Sequence, residues 1–218
     1  MNSPFTKNMF IVNHLRKHRF VSVPKVGCTT LKLITSEDDK LWNHEKHPRE
    51  SIHKLFGYEP DGKRLVPIDS DSYSDYTSVA VFRDPVSRFQ SWYKDKIRCV
   101  NHPYLKMCGF ENDNSVERCL QFLEFELTKS NPEWIEEHVR PQHLIYDGAK
   151  IDLLVNLEDM SLYLQEIGVD VKSTKSNSTG NSTLTLSKEQ ILRINSLYKN
   201  DRILSEVYHE KVWHPISA

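Results

Sequence analysis

Residues 20–32 read FVSVPKVGCTTLK: an apolar run, a proline, a lysine, a glycine, two threonines, and then the opening of a helical pattern. A strand, a glycine-containing turn and a helix N-terminus in succession are the physical recipe for an anion site. The free first-turn N–H groups and the helix dipole both face the ligand. Gly27 lets the backbone turn sharply and lets an oxyanion approach. Thr29 and Thr30 add hydroxyl donors, and Lys25 adds a charge. Read alone, the string also suits a plain turn with a solvated lysine.

The order of residues excludes the commonest phosphate loop. A Walker A loop reads GxxxxGK[ST], with its lysine after the glycines and a hydroxyl for magnesium. Here Lys25 precedes Gly27 and no second glycine follows. A second anion candidate is VAVFRDPVSRFQSWYKDK, residues 79–96. The run TSVAVF, 77–82, is the clearest strand of the chain, and Arg83 falls at its end, where open α/β sheets place ligands. Pro85 suits the first turn of a helix reaching about Arg98. Ser91, eight residues after Arg83, could share a dianionic phosphate with it. The guanidinium would give a paired contact and the hydroxyl a third, with Arg88 assisting. Pairing of Arg83 with Asp84 or another carboxylate is the plainer alternative.

The rest of the chain sets these stretches in an alternating pattern. Residues 18–23 form a strand ahead of the loop, and 29–38 a helix after it. The window 39–76 is polar and poorly periodic, with a short helix near 48–57. A loop over 99–113 and a helix near 115–129 follow. HLIYD (143–147) and IDLLVN (151–156) are two strand candidates, and 157–168 is a helix ended by Gly168. Residues 172–185 are a polar low-complexity loop, after which Ser187 and Gln190 make a capping box. Strands alternating with helices predict an α/β fold with a parallel sheet, as one domain over 1–218 with 39–76 and 172–185 as substrate-side or mobile loops.

Composition narrows the partners. The 218 residues carry a formal net charge of −1, so bulk electrostatics favours neither nucleic acid nor an anionic membrane. No run of about 18 apolar residues marks a membrane span, and the N-terminus lacks a signal-peptide pattern. Cys28, Cys99, Cys108 and Cys119 are too sparse for a disulfide framework and show no zinc spacing. The expectation is a reduced, cytoplasmic protein.

Taken together, PKVGCTTLK and FRDPVSRFQSWYKDK resemble the two motifs of sulfotransferases that use 3'-phosphoadenylyl sulfate (PAPS), in the expected order. The likeness is greatest to the Golgi carbohydrate sulfotransferases of the glucuronyl and chondroitin/dermatan group. Weaker similarities continue through IHKLFG, EEHVRPQ, LIYD, NLEDM and LYKNDRIL, so the resemblance spans about residues 20–205. Two departures stand out. The Golgi enzymes have an N-terminal anchor and a cysteine-rich run that this sequence lacks, and Val139 replaces their tryptophan. Both differences suit a compact bacterial-type enzyme in a reducing cytosol.

The resemblance implies a P-loop-like, three-layer fold with a central, mainly parallel sheet flanked by helices. It implies transfer of a sulfuryl group from PAPS, leaving PAP, to a hydroxyl of a carbohydrate or glycan-like acceptor, without a metal. By this likeness Lys25 is the leaving-group cation. Thr29, Thr30 and the amides of residues 27–30 hold the 5'-phosphosulfate, with Val26 and Cys28 counted in the same cofactor-binding loop, and Arg83 and Ser91 hold the 3'-phosphate with Arg88 assisting. The general base in relatives lies between the motifs, where this chain offers His44, Glu45, His47 and His53. His53 matches best, and His138 is an acceptor-side candidate. Trp92 and Tyr93 read as core residues, and Cys28 as a small filler beside the phosphates. A P-loop kinase and a non-catalytic nucleotide or sulfated-glycan binding module are the competing readings.

Overall fold

The computed structural model describes residues 8–40, 52, 56, 63–98, 103–171 and 184–215. Its strands are β1 (Met9–Asn13), β2 (His18–Val21), β3 (Leu65–Pro67), β4 (Thr77–Phe82) and β5 (Leu153–Asn156). Its α-helices are α1 (Cys28–Asp38), α2 (Pro85–Trp92), α3 (Pro103–Met107), α4 (Val116–Leu127), α5 (Gln142–Tyr146), α6 (Met160–Glu166), α7 (Lys188–Leu197), α8 (Lys199–Arg202) and α9 (Leu204–Val207). The chain divides into two compact units. One holds the described residues within 8–83, 145–171 and 205–215, and the other those within 84–144 and 184–204.

The first unit is built on a five-stranded sheet in the order β3-β1-β2-β4-β5. β2, β4 and β5 run parallel and make its centre and one edge, while β1 pairs antiparallel with both β2 and β3. Val79, Ala80 and Val81 of β4 are all fully buried, as a continuous apolar run in a two-faced parallel strand requires. This is the expected three-layer α/β class, with a mixed sheet that is parallel at its core. The antiparallel additions were not foreseen: MFIVN (9–13) is a strand whose five residues are all buried, and LVP (65–67) is a short edge strand inside the polar window. Buried Arg19 is accommodated by Ser78 Oγ at 2.7 Å and by the face of Phe10 at 4.5 Å.

The second unit is helical. Phe89, Trp92, Ile97, Leu105, Phe110, Leu120, Phe122 and Leu123 belong to one buried cluster, in which Trp92 stacks on Phe122 with ring centres 6.0 Å apart. α4 contributes Cys119, Leu120, Phe122, Leu123 and Glu126, one helical stripe. Burial pushes the Cys119 thiol up to about 12. After α2 the chain continues as a π-helix over Tyr93–Ile97, in which Arg98 N–H donates to Tyr93 O at 3.0 Å. Trp92 and Ile97 are both buried in the cluster. Five residues of α-helix would turn them about 140° apart, and the wider π turn keeps both on the core side.

One strand expectation fails. HLIY (143–146) is helical, within α5, and Asp147 falls in the turn after it. The cause is a cap supplied from far along the chain: the buried Asp201 carboxylate accepts from the N–H groups of Gln142 and His143, each at 2.9 Å, and from His143 Nδ1 at 2.7 Å. Charge-assisted bonds at a helix start outweigh the strand preference of an apolar five-residue run. The predicted loop 99–113 contains α3. The expected helix near 48–57 lies mostly outside the described residues, of which Ile52 and Phe56 are helical and buried. The capping box at Ser187 and Gln190 is present as predicted. The tract 172–183 lies outside the described residues. Among the described residues no helix is long and apolar enough to cross a membrane.

Candidate functional site

The loop between β2 and α1 is held from within. Val26 is fully buried, which pins the turn to the sheet unit, while Lys25, Gly27, Cys28, Thr29 and Thr30 are partly exposed. Lys25 and Gly27 both have left-handed backbone, with φ of 67° and 84°. At Lys25 this costs about 1–2 kcal/mol. Arg83 offsets it: its Nη1 donates to the Lys25 carbonyl at 2.8 Å, tying the end of β4 to the loop by a charge-assisted bond.

Gly27 is the N-cap of α1, and no side chain among the described residues caps this helix. The first rung of the helix is Leu31 N–H to Gly27 O at 2.9 Å. The amides of residues 28–30 therefore precede the first helical donor, Leu31 N–H, and stand at the positive end of the dipole. A Cβ on Gly27 would stand 3.2 Å from Leu157 Cδ1, so a larger residue is opposed by both conformation and space. A cation, two hydroxyls and a bare helix start in one turn form a donor set that fits a phosphosulfate or another polyanion.

In the helical unit, Asp84 caps α2 by accepting from Ser87 N–H at 2.8 Å, and Pro85 opens the helix as predicted. Ser91 lies on α2, partly exposed. Arg88 is 3% exposed and donates through Nη1 to the Arg140 carbonyl at 2.8 Å. Arg140 is itself buried, which pulls its guanidinium below the ordinary arginine value. Trp92 and Tyr198 join Arg88, Val139 and His138 around a cavity of about 10 Å³.

His138 is the described histidine among the proposed bases. Its Nδ1 lies 2.5 Å from Glu136 Oε1, and its backbone N–H donates to Glu136 Oε2 at 3.0 Å. Glu136 is 1% exposed. Its own N–H donates to Glu126 Oε2 at 2.7 Å, and Glu126, fully buried, also accepts from Tyr104 Oη and Lys129 Nζ, each at 2.6 Å. Burial, then the bond to Glu126, pushes the Tyr104 phenol well above its usual range. Sequence reasoning missed Glu136. The only signal was its place two residues before His138 in EEHVRPQ, a spacing with no meaning until the backbone is known. His44, Glu45, His47 and His53 lie outside the described residues.

The structure thus brings Lys25, Gly27 and Arg83 together, and it places Ser91, Arg88 and His138 within the helical unit. No curated protein and no solved structure matches the chain. A family model described as "Sulfotransferase family" matches residues 8–204, a span that takes in β1, the capless loop before α1, Arg83, Ser91 and His138. With nearly the whole sequence matched, and with a polyanion-ready turn where the motif demands one, the chain belongs to the sulfotransferase family.

Proposed function

We propose that this sulfotransferase takes its sulfuryl group from PAPS and passes it to a hydroxyl of a carbohydrate or glycan-like acceptor. The observation that carries this reading is the turn at 24–28: an uncapped helix start, left-handed Gly27, and Lys25 bound through its carbonyl to Arg83. When bound, PAPS supplies a sulfuryl group already joined to a good leaving phosphate. The protein has to position and to stabilise charge.

Lys25 steadies the charge that grows on the 5'-phosphate. The amides of residues 27–30 and the hydroxyls of Thr29 and Thr30 hold the phosphosulfate oxygens, with Val26 and Cys28 in the same loop. Arg83 and Ser91 hold the 3'-phosphate, with Arg88 assisting. A histidine, His53 or His138, takes the acceptor proton. The acceptor class rests on the motif likeness to the Golgi carbohydrate group.

Thermal unfolding with PAP, ADP and ATP tests the reading. Stabilisation by PAP well beyond that by ADP is expected, because ADP lacks the 3'-phosphate. Equal stabilisation by ATP and ADP, with none by PAP, would replace this reading with a kinase. A PAPS-dependent transfer assay, with acceptors screened by mass spectrometry, then separates an enzyme from a binding module.

A further inference from the structure

Trp92, the last residue of α2, is 1% exposed. Its ring neighbours are phenylalanines. It stacks on Phe122, lies tilted against Phe89 with centres 5.8 Å apart, and meets Phe110 edge to face at 6.3 Å. None of these rings offers an oxygen or nitrogen. The indole Nε1 is buried with them, and no acceptor among the described residues lies within hydrogen-bond reach of it. An indole nitrogen donates and cannot accept, and a donor left unmet in a protein interior is costly.

Trp92 also walls the cavity of about 10 Å³ in the helical unit, together with Arg88, His138, Val139 and Tyr198. A space of that size holds a single water-sized body. Here, and not against the phenylalanines, the indole has polar neighbours. Tyr198 brings the complementary atom. Its hydroxyl donates to the Val139 carbonyl at 2.7 Å, and burial pushes the phenol well above its ordinary value, so the hydroxyl hydrogen stays in place and is committed to Val139. The phenolic oxygen keeps lone-pair capacity. Val139 borders the same cavity, which sets the hydroxyl end of Tyr198 beside it. A halide would accept from the indole N–H but has no hydrogen to give the phenolic oxygen. Water does both.

We propose that the cavity between α2, Val139 and Tyr198 is a binding site for one ordered water, which accepts from Trp92 Nε1 and donates to Tyr198 Oη. The water joins three segments distant in the chain: the end of α2, the stretch around Val139, and the residue that follows α7. It fixes the end of α2 next to Ser91. Arg88 and His138 border the site but are held by bonds of their own, to Arg140 O and to Glu136, and the site needs neither of them. The proposal is independent of the PAPS-dependent reading, because every residue in it belongs to the helical unit and no sulfate donor takes part.

A crystal structure of the wild-type protein, at a resolution that orders internal waters, is the first test. Density for one water is expected about 2.7–3.2 Å from Trp92 Nε1 and about 2.5–3.0 Å from Tyr198 Oη. No density there overturns the proposal. Crystals soaked in bromide separate the two ligand chemistries: an anomalous peak at that place assigns the site to a halide and also overturns it. Solution NMR gives an independent reading on the wild type. The Trp92 indole proton, assigned through its contacts with Phe110 and Phe122, should show a cross-peak to a slowly exchanging water. An indole proton shifted upfield by the Phe110 ring, with no water cross-peak, means that the N–H meets the ring face instead and refutes the site. Tyr198→Phe removes the second partner, so the water cross-peak should be lost; a cross-peak of full strength in that variant refutes the bridge to Tyr198. The crystal and the wild-type NMR measurements decide the matter even where the variant does not fold.

Discussion

Replacing Gly27 by alanine tests whether the turn before α1 is a built anion site. Two costs are separable. The first is conformational: φ is 84° at Gly27, where a Cβ costs about 1–2 kcal/mol. The second is spatial: the new Cβ meets Leu157 Cδ1 at 3.2 Å, and moving that side chain off its rotamer costs about 0.5–1.5 kcal/mol. Gly148 supplies the control, since its φ is 80° and a Cβ there meets nothing within 4 Å. Urea unfolding of Gly148→Ala should register the first cost alone, and that of Gly27→Ala both. In a double-mutant cycle with Leu157→Ala, the spatial part should vanish and the conformational part persist. Titration calorimetry with PAP should show at least a tenfold weaker Kd for Gly27→Ala and an unchanged Kd for Gly148→Ala. If the two alanine variants match in both stability and PAP affinity, Gly27 is an ordinary turn glycine and the loop reading is refuted.

Four further outcomes follow from the geometry. Arg83→Ala removes a charge-assisted bond worth about 1.5–3 kcal/mol, so its Kd for PAP should rise by about one to two orders of magnitude, with a smaller change for ADP; an unchanged Kd for PAP removes Arg83 from the site. Lys25→Met should lower kcat by about 100-fold or more, and single-turnover kinetics would show the loss in the transfer step. Asp201→Ala removes the carboxylate that caps Gln142 and His143, so hydrogen exchange at α5 should quicken and stability should fall by about 1–2 kcal/mol. His18 is held below the ordinary histidine range by burial, opposed by its bond to Arg16 O. Its unfolded form therefore binds the proton first as pH falls through about 6.5, and stability is lost below that value; melting temperatures measured from pH 7.5 to about pH 5 should fall less steeply for His18→Gln.

The strands that carry the ligand loops were legible because their burial is written in composition. Val79, Ala80 and Val81 leave no polar face, and Pro85 and the Ser187–Gln190 pair mark helix starts within a few residues of themselves. What escaped depends on partners distant in the chain. MFIVN is too short to declare itself, and it becomes a strand by pairing with both β2 and β3. HLIYD reads as a strand until Asp201, 58 residues beyond His143, caps it. The same holds at the site. Lys25, Gly27 and Arg83 are recognisable by type and order, whereas the bond from Arg83 to the Lys25 carbonyl spans 58 residues and the burial of Glu136 depends on Glu126 and His138. Residue types announce chemistry; tertiary contacts decide which atoms face which.

The π-helix at 93–97 carries a consequence for how this chain is aligned with others. Arg98 bonds back five residues to Tyr93, so the segment contains one residue more than a regular helix of the same reach. In the ledger of insertions and deletions, Tyr93–Ile97 is a helix with one residue inserted. A relative whose helix continues as a plain α-helix will match this chain only with a one-residue gap between Trp92 and Arg98. An ungapped match will pair Lys94-Asp95-Lys96 with positions that face elsewhere. The lysines of that tripeptide are thus comparable between chains by the face they occupy, not by their distance from Ser91.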